Sequence, residues 1–378
     1  MELDRRAFVY AAAVGALASG VSGTVDAAKQ PARSVVEFSS DGIPLTPLEY
    51  AALLQQQCST ATALDDYSRG GAVEALEQQF ALLTGKEAAV FMPSGTLANH
   101  LAVRALAGAK RRVIVQEVSH LYNDSGDCAQ QLSGITLMPM APGKATFSWD
   151  ELAALLERNA GGRVATPIGA ISIESPVRRL RNQVFDFAAM QQISQEARRL
   201  GIGLHLDGAR LFVAAAYSGR SPADYAALFD TVYVSLWKCF NSANGAILAG
   251  PRRLLEDLYH VRRMFGGAMK HAWPDALIAA HYANGYLERM RAAVAVSEQL
   301  WKKLQQDQRF LVERVENGTS VTRVRIPNRD LPQIRSRLAA AAIVVDEPSG
   351  DGFWLRINET ANRMSAEALA TAFSAAAG

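Results

Sequence analysis

Cysteine is scarce in this chain: three residues in 378, Cys58, Cys128 and Cys239, none of them in CxxC spacing. That pattern suggests neither a metal site nor a disulfide framework, and the odd count leaves at least one thiol free unless it pairs between chains. An excess of either charge is lacking too, because 39 Lys and Arg meet 37 Asp and Glu for a net +2. Such balance gives no argument for nucleic acid or an anionic surface as a partner. After the N-terminus no stretch approaches 18 uninterrupted apolar residues, so nothing there predicts a membrane span. Internal repeats and low-complexity tracts are absent. What is present is globular composition, 49% hydrophobic and 20% charged, enough for a large core and a second, smaller domain.

Residues 1–28 read as a targeting segment. Arg5 and Arg6 precede an apolar tract over 10–21 that is too short to be a stable anchor, and Val25-Asp26-Ala27-Ala28 suits signal peptidase. Paired arginines before such a tract predict export by the twin-arginine route, with a periplasmic mature protein that no longer touches the membrane. That route carries folded proteins.

The mature chain opens with a polar arm over 29–47. Helical spacing then predicts helices over 48–58, 73–83, 97–106, 149–159, 186–200, 222–228 and 251–265, alternating with apolar strands over 88–92, 112–116, 170–174, 203–206 and 231–236. This alternation predicts an α/β domain over 48–275, with a mostly parallel sheet covered by helices. A long helical region over 275–307 leads into a smaller C-terminal α/β domain within 276–378, with strands over 320–326, 343–345 and 353–357 and helices over 331–341 and 365–376.

The stretch 203–250 organises the rest. Two apolar runs, separated by a helix-length segment, each end in a charged residue, Asp207 and Lys238. Neighbouring parallel strands would open both residues into one crevice, where α/β proteins place ligands. A buried lysine beside an acid suits pyridoxal phosphate (PLP) chemistry: the lysine holds the aldehyde as a Schiff base and the carboxylate keeps the pyridine nitrogen protonated. Ser94-Gly95-Thr96, a small-residue turn opening a helix, offers unpaired N–H groups to a phosphate. His120, at the exit of another strand, can stack on the ring or move a proton.

These segments resemble a known family. LTGKEAAVFMPSGTLANHLAV over 83–103, HLDGARLF over 205–212, the SLWK lysine and RRMFGGAMKHA over 262–272 are similar to the threonine aldolase and β-eliminating lyase family of fold type I PLP enzymes, in the same order through nearly the whole mature chain. The resemblance implies a homodimer or homotetramer with active sites between subunits. It implies Lys238 as the Schiff-base lysine, Asp207 as the partner of the pyridine nitrogen, Ser94, Gly95 and Thr96 as the phosphate turn, and His120 as the stacking histidine and base. Arg210 and Arg356 match the arginines that receive an amino-acid carboxylate, a task suited to a planar guanidinium fork. Ser40 matches an arm serine that also touches the carboxylate. Lys270 stands for the arginine of the glycine turn that can reach a neighbouring subunit's phosphate.

The chain departs from the family at several points. Ser175-Pro176-Val177 replaces a Thr-His pair near the substrate, Trp237 replaces a small hydroxyl residue before the lysine, and Cys239-Phe240-Asn241 replaces Gly-Leu-Gly after it. The expected activity is therefore a retro-aldol lyase acting on a β-hydroxy-α-amino acid, to give glycine and an aldehyde. The alternatives are PLP-dependent β-elimination, racemisation or transamination, or an exported protein that binds an amino acid without turnover.

Overall fold

The apolar runs become strands in the computed structural model, which describes residues 35–378; the signal-peptide reading of residues 1–28 lies outside the described residues. In chain order the strands are β1 (Val36–Glu37), β2 (Ala88–Met92), β3 (Arg112–Gln116), β4 (Thr136–Met140), β5 (Ile168–Glu174), β6 (Gly203–Asp207), β7 (Thr231–Ser235), β8 (Ala246–Gly250), β9 (Leu311–Arg314), β10 (Val321–Arg325), β11 (Ile343–Val344) and β12 (Gly352–Arg356). Seven of them form the main sheet in the order β2-β8-β7-β6-β5-β3-β4. All its strands run the same way except β8, which is antiparallel to both β2 and β7. Burial on both faces explains why β5, β7 and β8 are buried along their whole length and read as continuous apolar runs rather than alternating ones.

The strand order fixes where a site can form. From β3 the chain steps outward to β4 and then returns to β5 on the other side, so the order reverses between β4 and β5. Ligands of open α/β sheets bind beyond the carboxyl ends of strands at such a reversal. The C-terminal part of the chain builds a β9-β10-β12 sheet that is antiparallel, and β1 of the arm pairs in parallel with β11. The arm is thereby built into the C-terminal layer: the Arg356 N–H donates to the Phe38 carbonyl at 2.7 Å.

Caps explain the helix starts. Ser94 caps the helix Gly95–Ala107 through its side chain, and Thr46 and Ser148 each form capping boxes with the glutamate three residues on. One expectation needs correcting. The helical region expected over 275–307 is two helices, Trp273–Ala283 and Tyr286–Leu304. Gly285 lies between them with φ +66°, a left-handed conformation that ends one helix and re-aims the next. The strands β4, β8 and β9 and the helix Leu211–Ser218 also lie beyond the elements expected from sequence. Among the described residues, no helix is long and apolar enough to cross a membrane.

One half-buried acid makes stability depend on pH. Glu77 accepts the Phe91 N–H at 2.7 Å, and burial, partly opposed by that hydrogen bond and by Arg262, raises its carboxyl to about 7. The folded state therefore binds a proton that the unfolded chain has already released between the ordinary glutamate range and neutrality. This contribution to stability is complete at acidic pH and is lost as pH rises through 7. Glu77→Gln is expected to flatten this part of the profile, raising the melting temperature at pH 8 relative to wild type more than at pH 5.

Candidate active site

The carboxyl ends of β3, β5, β6 and β7 converge on one cavity of about 140 Å³. Ser94, Gly95, Thr96, His120, Asp207, Arg210 and Lys238 all line it, so seven of the ten residues singled out from sequence meet there. Glu174, Arg178, Tyr233 and Trp237 complete much of its wall. A larger open groove of about 710 Å³, lined by Arg104, Arg111 and Gln130 among others, lies elsewhere and contains none of these groups.

Lys238 sits in a single helical turn, Leu236–Cys239, that follows β7 directly. The residue is buried. Burial, reinforced by the nearby Arg210 cation, lowers its ammonium from the ordinary lysine value, against the attraction of Asp207, Asp41 and Glu174. Its amine rests 5.0 Å from the centre of the Trp237 ring. Desolvation of this kind produces a lysine that can act as a nucleophile at moderate pH.

Asp207 ends β6 and is held by a buried chain of side chains. Asn99 donates to Asp207 Oδ2 at 2.6 Å, His205 Nε2 meets Asn99 Oδ1 at 2.9 Å, and His205 Nδ1 meets Thr231 Oγ1 at 2.9 Å. Burial lowers the His205 imidazole to about 4, so it is neutral at physiological pH. With Asn99 using its amide N–H toward Asp207, its oxygen accepts from His205 Nε2, and His205 Nδ1 accepts from the Thr231 hydroxyl. Each donor in the chain points toward the carboxylate, complementing its negative charge.

His120 begins a short helical turn after β3, and its backbone N–H donates to Glu174 Oε2 at 2.6 Å. The imidazole is shifted down, first by burial and then by Lys238, with Asp207 opposing. Glu174 ends β5 directly opposite Asp207 in the sheet, and its other oxygen accepts the Arg178 N–H at 2.9 Å. Desolvation and the neighbouring Asp207 charge push the Glu174 carboxyl upward. The turn after β5 is thus tied to Glu174, with Arg178 at the cavity edge paired to Asp124 at 2.6 Å.

The turn that opens the helix Gly95–Ala107 is shaped by a missing side chain. A Cβ on Gly95 would collide with the Tyr233 hydroxyl, whose ring is buried. Gly95→Ala is expected to cost about 1–3 kcal/mol in strain, as overpacking does; cofactor affinity from fluorescence titration, compared with the melting temperature, shows whether the loss falls on the turn.

Three residues lie outside the cavity lining. Ser40 donates its hydroxyl to the Gly42 carbonyl at 2.5 Å, within the arm itself. Arg356 approaches from β12 and reaches the site through Asp41, 3.5 Å from its Nε. Lys270 is exposed, pairs with Asp66 and lies 4.8 Å from the Tyr67 ring centre. Sequence reasoning passed over Asp41, Asn99, Glu174, Arg178, His205 and Tyr233. For Glu174 a signal existed, an acid closing an apolar strand just as Asp207 does.

The profile of the family described as "Beta-eliminating lyase" matches residues 49–336. This chain belongs to that family. Among its relatives, aldolase vrtJ of Penicillium aethiopicum is 30% identical over 282 residues, 72% of this chain and 70% of that protein. The low-specificity L-threonine aldolase of Candida albicans is 26% identical over 70% of each chain. A solved structure of an L-allo-threonine aldolase assigned in Listeria monocytogenes superposes with a TM-score of 0.75 at 25% identity, covering 90% of this chain and 94% of that one. The chain is thus a fold type I enzyme, in a class whose members use PLP. The residues present fit that group: a buried amine, a carboxylate in a donor chain, and a helix start where only glycine fits all face one cavity.

Proposed function

We propose that this lyase is a PLP-dependent aldolase that cleaves the Cα–Cβ bond of a β-hydroxy-α-amino acid, releasing glycine and an aldehyde. The observation that carries the reading is the meeting of Lys238, Asp207, His120 and Arg210 in one cavity. Ser94, Gly95 and Thr96 would hold the cofactor's phosphate at the helix start, Asp207 its ring nitrogen and Lys238 its aldehyde carbon. When bound, the cofactor supplies an electron sink for the pair left at Cα.

The chain's own groups do the rest. Arg210 and Arg356 orient the substrate carboxylate and so determine which Cα bond lines up for cleavage. His120, kept neutral by burial, takes the β-hydroxyl proton directly or through water. Lys238, with its weakened hold on a proton, returns one to Cα. Lys270, exposed on the glycine turn, fits a homodimer or homotetramer in which it reaches a neighbour's site. The two arginines of the N-terminal segment favour export before the enzyme works, with the cofactor already in place.

The test is to supply the purified protein and PLP with L-threonine, L-allo-threonine and phenylserine and to quantify glycine and aldehyde. Glycine in step with aldehyde is expected. A protein that takes up PLP yet releases no glycine from any of the three is not an aldolase. One observation favours a second reading, β-elimination: Ser175-Pro176-Val177 stands in the loop after Glu174 where the threonine aldolases it resembles carry Thr-His. Ammonia and a keto acid, in place of glycine, would mark that outcome.

A further inference from the structure

Asp41 has no role in the reading above, yet it sits between both arginines assigned to the substrate carboxylate. Arg210 donates to it through two parallel bonds, Nε to Oδ1 at 2.9 Å and Nη2 to Oδ2 at 2.6 Å. Arg356 Nε stands 3.5 Å from Oδ1, without a hydrogen-bond partner of its own. Both members of the Arg210–Asp41 pair are nearly inaccessible, with side-chain exposures of 4% and 11%. A bidentate pair removed from water fixes the plane of the guanidinium, and it persists only where the surroundings hold it.

The arm carrying Asp41 is fastened on either side. Before it, the Ser39 carbonyl accepts Arg356 Nη1 at 2.9 Å and the Ser40 carbonyl accepts Asn358 Nδ2 at 2.9 Å. After it, the Ile43 N–H donates to Asn241 Oδ1 at 2.7 Å. Between these anchors Gly42 lies flat on the lysine turn, where a Cβ would collide with both the Lys238 carbonyl and Asn241 Oδ1. Asn241, one of the residues that departs from the family after the lysine, is therefore the clasp that seats the arm against the site.

We propose that Asp41 is a positioning residue: it locks the Arg210 fork and neutralises one of the two arginine cations, so that the site receives a single carboxylate in one orientation. This rests on the reading of Arg210 and Arg356 as the carboxylate receptors. Two uncompensated cations would still attract an amino acid, but one bound askew does not bring the scissile bond into line. The signature is a loss in turnover without a loss in binding.

Asp41→Asn is expected to lower kcat by about tenfold or more, as small misplacements do, with KM unchanged or lower. Glycine affinity of the holoenzyme, from calorimetry, is expected to be no weaker than wild type. Asp41→Glu keeps the charge and displaces the fork, so its kcat should lie between the two. Wild-type kcat in folded Asp41→Asn overturns the proposal, as does an equal loss in both variants accompanied by a lowered melting temperature. Should Asp41→Asn fail to fold, wild-type kcat in Asp41→Glu overturns it. Arg210→Lys and Arg356→Lys test the underlying reading separately: if neither changes glycine affinity, the arginines are not the receptors, whatever Asp41→Asn does.

Discussion

Lys238→Ala is expected to reduce turnover by at least about 10³-fold, the scale on which removing one member of a catalytic constellation acts. The amine is the nucleophile that the cavity offers beside Asp207, since Cys239, its neighbour in sequence, is buried and its thiol is pushed up to about 12. Burial and the Arg210 cation lower the lysine's own hold on its proton relative to an exposed lysine. A second measurement separates this role from packing. Borohydride reduction of the wild type with PLP should attach the cofactor to the peptide containing Lys238, and Lys238→Ala and Lys238→Arg should carry none. Cofactor fixed to another lysine, or wild-type turnover in Lys238→Arg, would remove Lys238 from its assigned place.

Much of this site was legible because parallel α/β sheets put chemistry at strand ends. Asp207 and Lys238 each follow an apolar run, and β6 and β7 do lie side by side with both residues facing one cavity. Position along the strand carries that information. It does not carry the partners. Asn99 reaches Asp207 from a helix 108 residues earlier, and an asparagine within an apolar helix reads from sequence only as a polar interruption. His205 lies inside β6, where a buried neutral histidine differs from a ligand-facing one only by the sheet face it occupies. Asp41 looks like one more polar residue of an arm, because its meaning comes from Arg210, 169 residues away. The antiparallel β8 was obscured for another reason. Its approach through Ser242, Ala243, Asn244 and Gly245 is a tract of small residues without strand periodicity, and Asp275 accepts both the Ser242 hydroxyl and the Asn244 N–H and holds it in place.

The donor chain behind Asp207 gives the second large effect. Asp207→Asn is expected to lower kcat by about 10³-fold, again the scale of removing a constellation member. The amide matches the carboxylate in shape, but the chain of hydrogen bonds cannot remain as it is, and a buried donor left unpaired costs about 1–3 kcal/mol of stability. Asn99 presents an N–H to Asp207 Oδ2 at 2.6 Å, and its own oxygen is engaged by His205. An amide at position 207 must either spend its oxygen on Asn99, aiming its NH₂ at the Ala209 N–H that now donates to Oδ1 at 3.2 Å, or turn round and meet the Asn99 NH₂ with its own. Either way the negative charge that complements a protonated ring nitrogen is gone, and the electron sink weakens. The loss should therefore fall on kcat while PLP remains attached to Lys238, so the borohydride-trapped peptide persists in Asp207→Asn although it is lost in Lys238→Ala. His205→Gln tests the same chain at its far end. It leaves the carboxylate and disturbs a donor two links away, so a smaller drop in kcat is expected. A loss as large as that of Asp207→Asn would place the catalytic weight on the histidine instead, and turnover within about tenfold of wild type in Asp207→Asn would take the ring-nitrogen role away from Asp207.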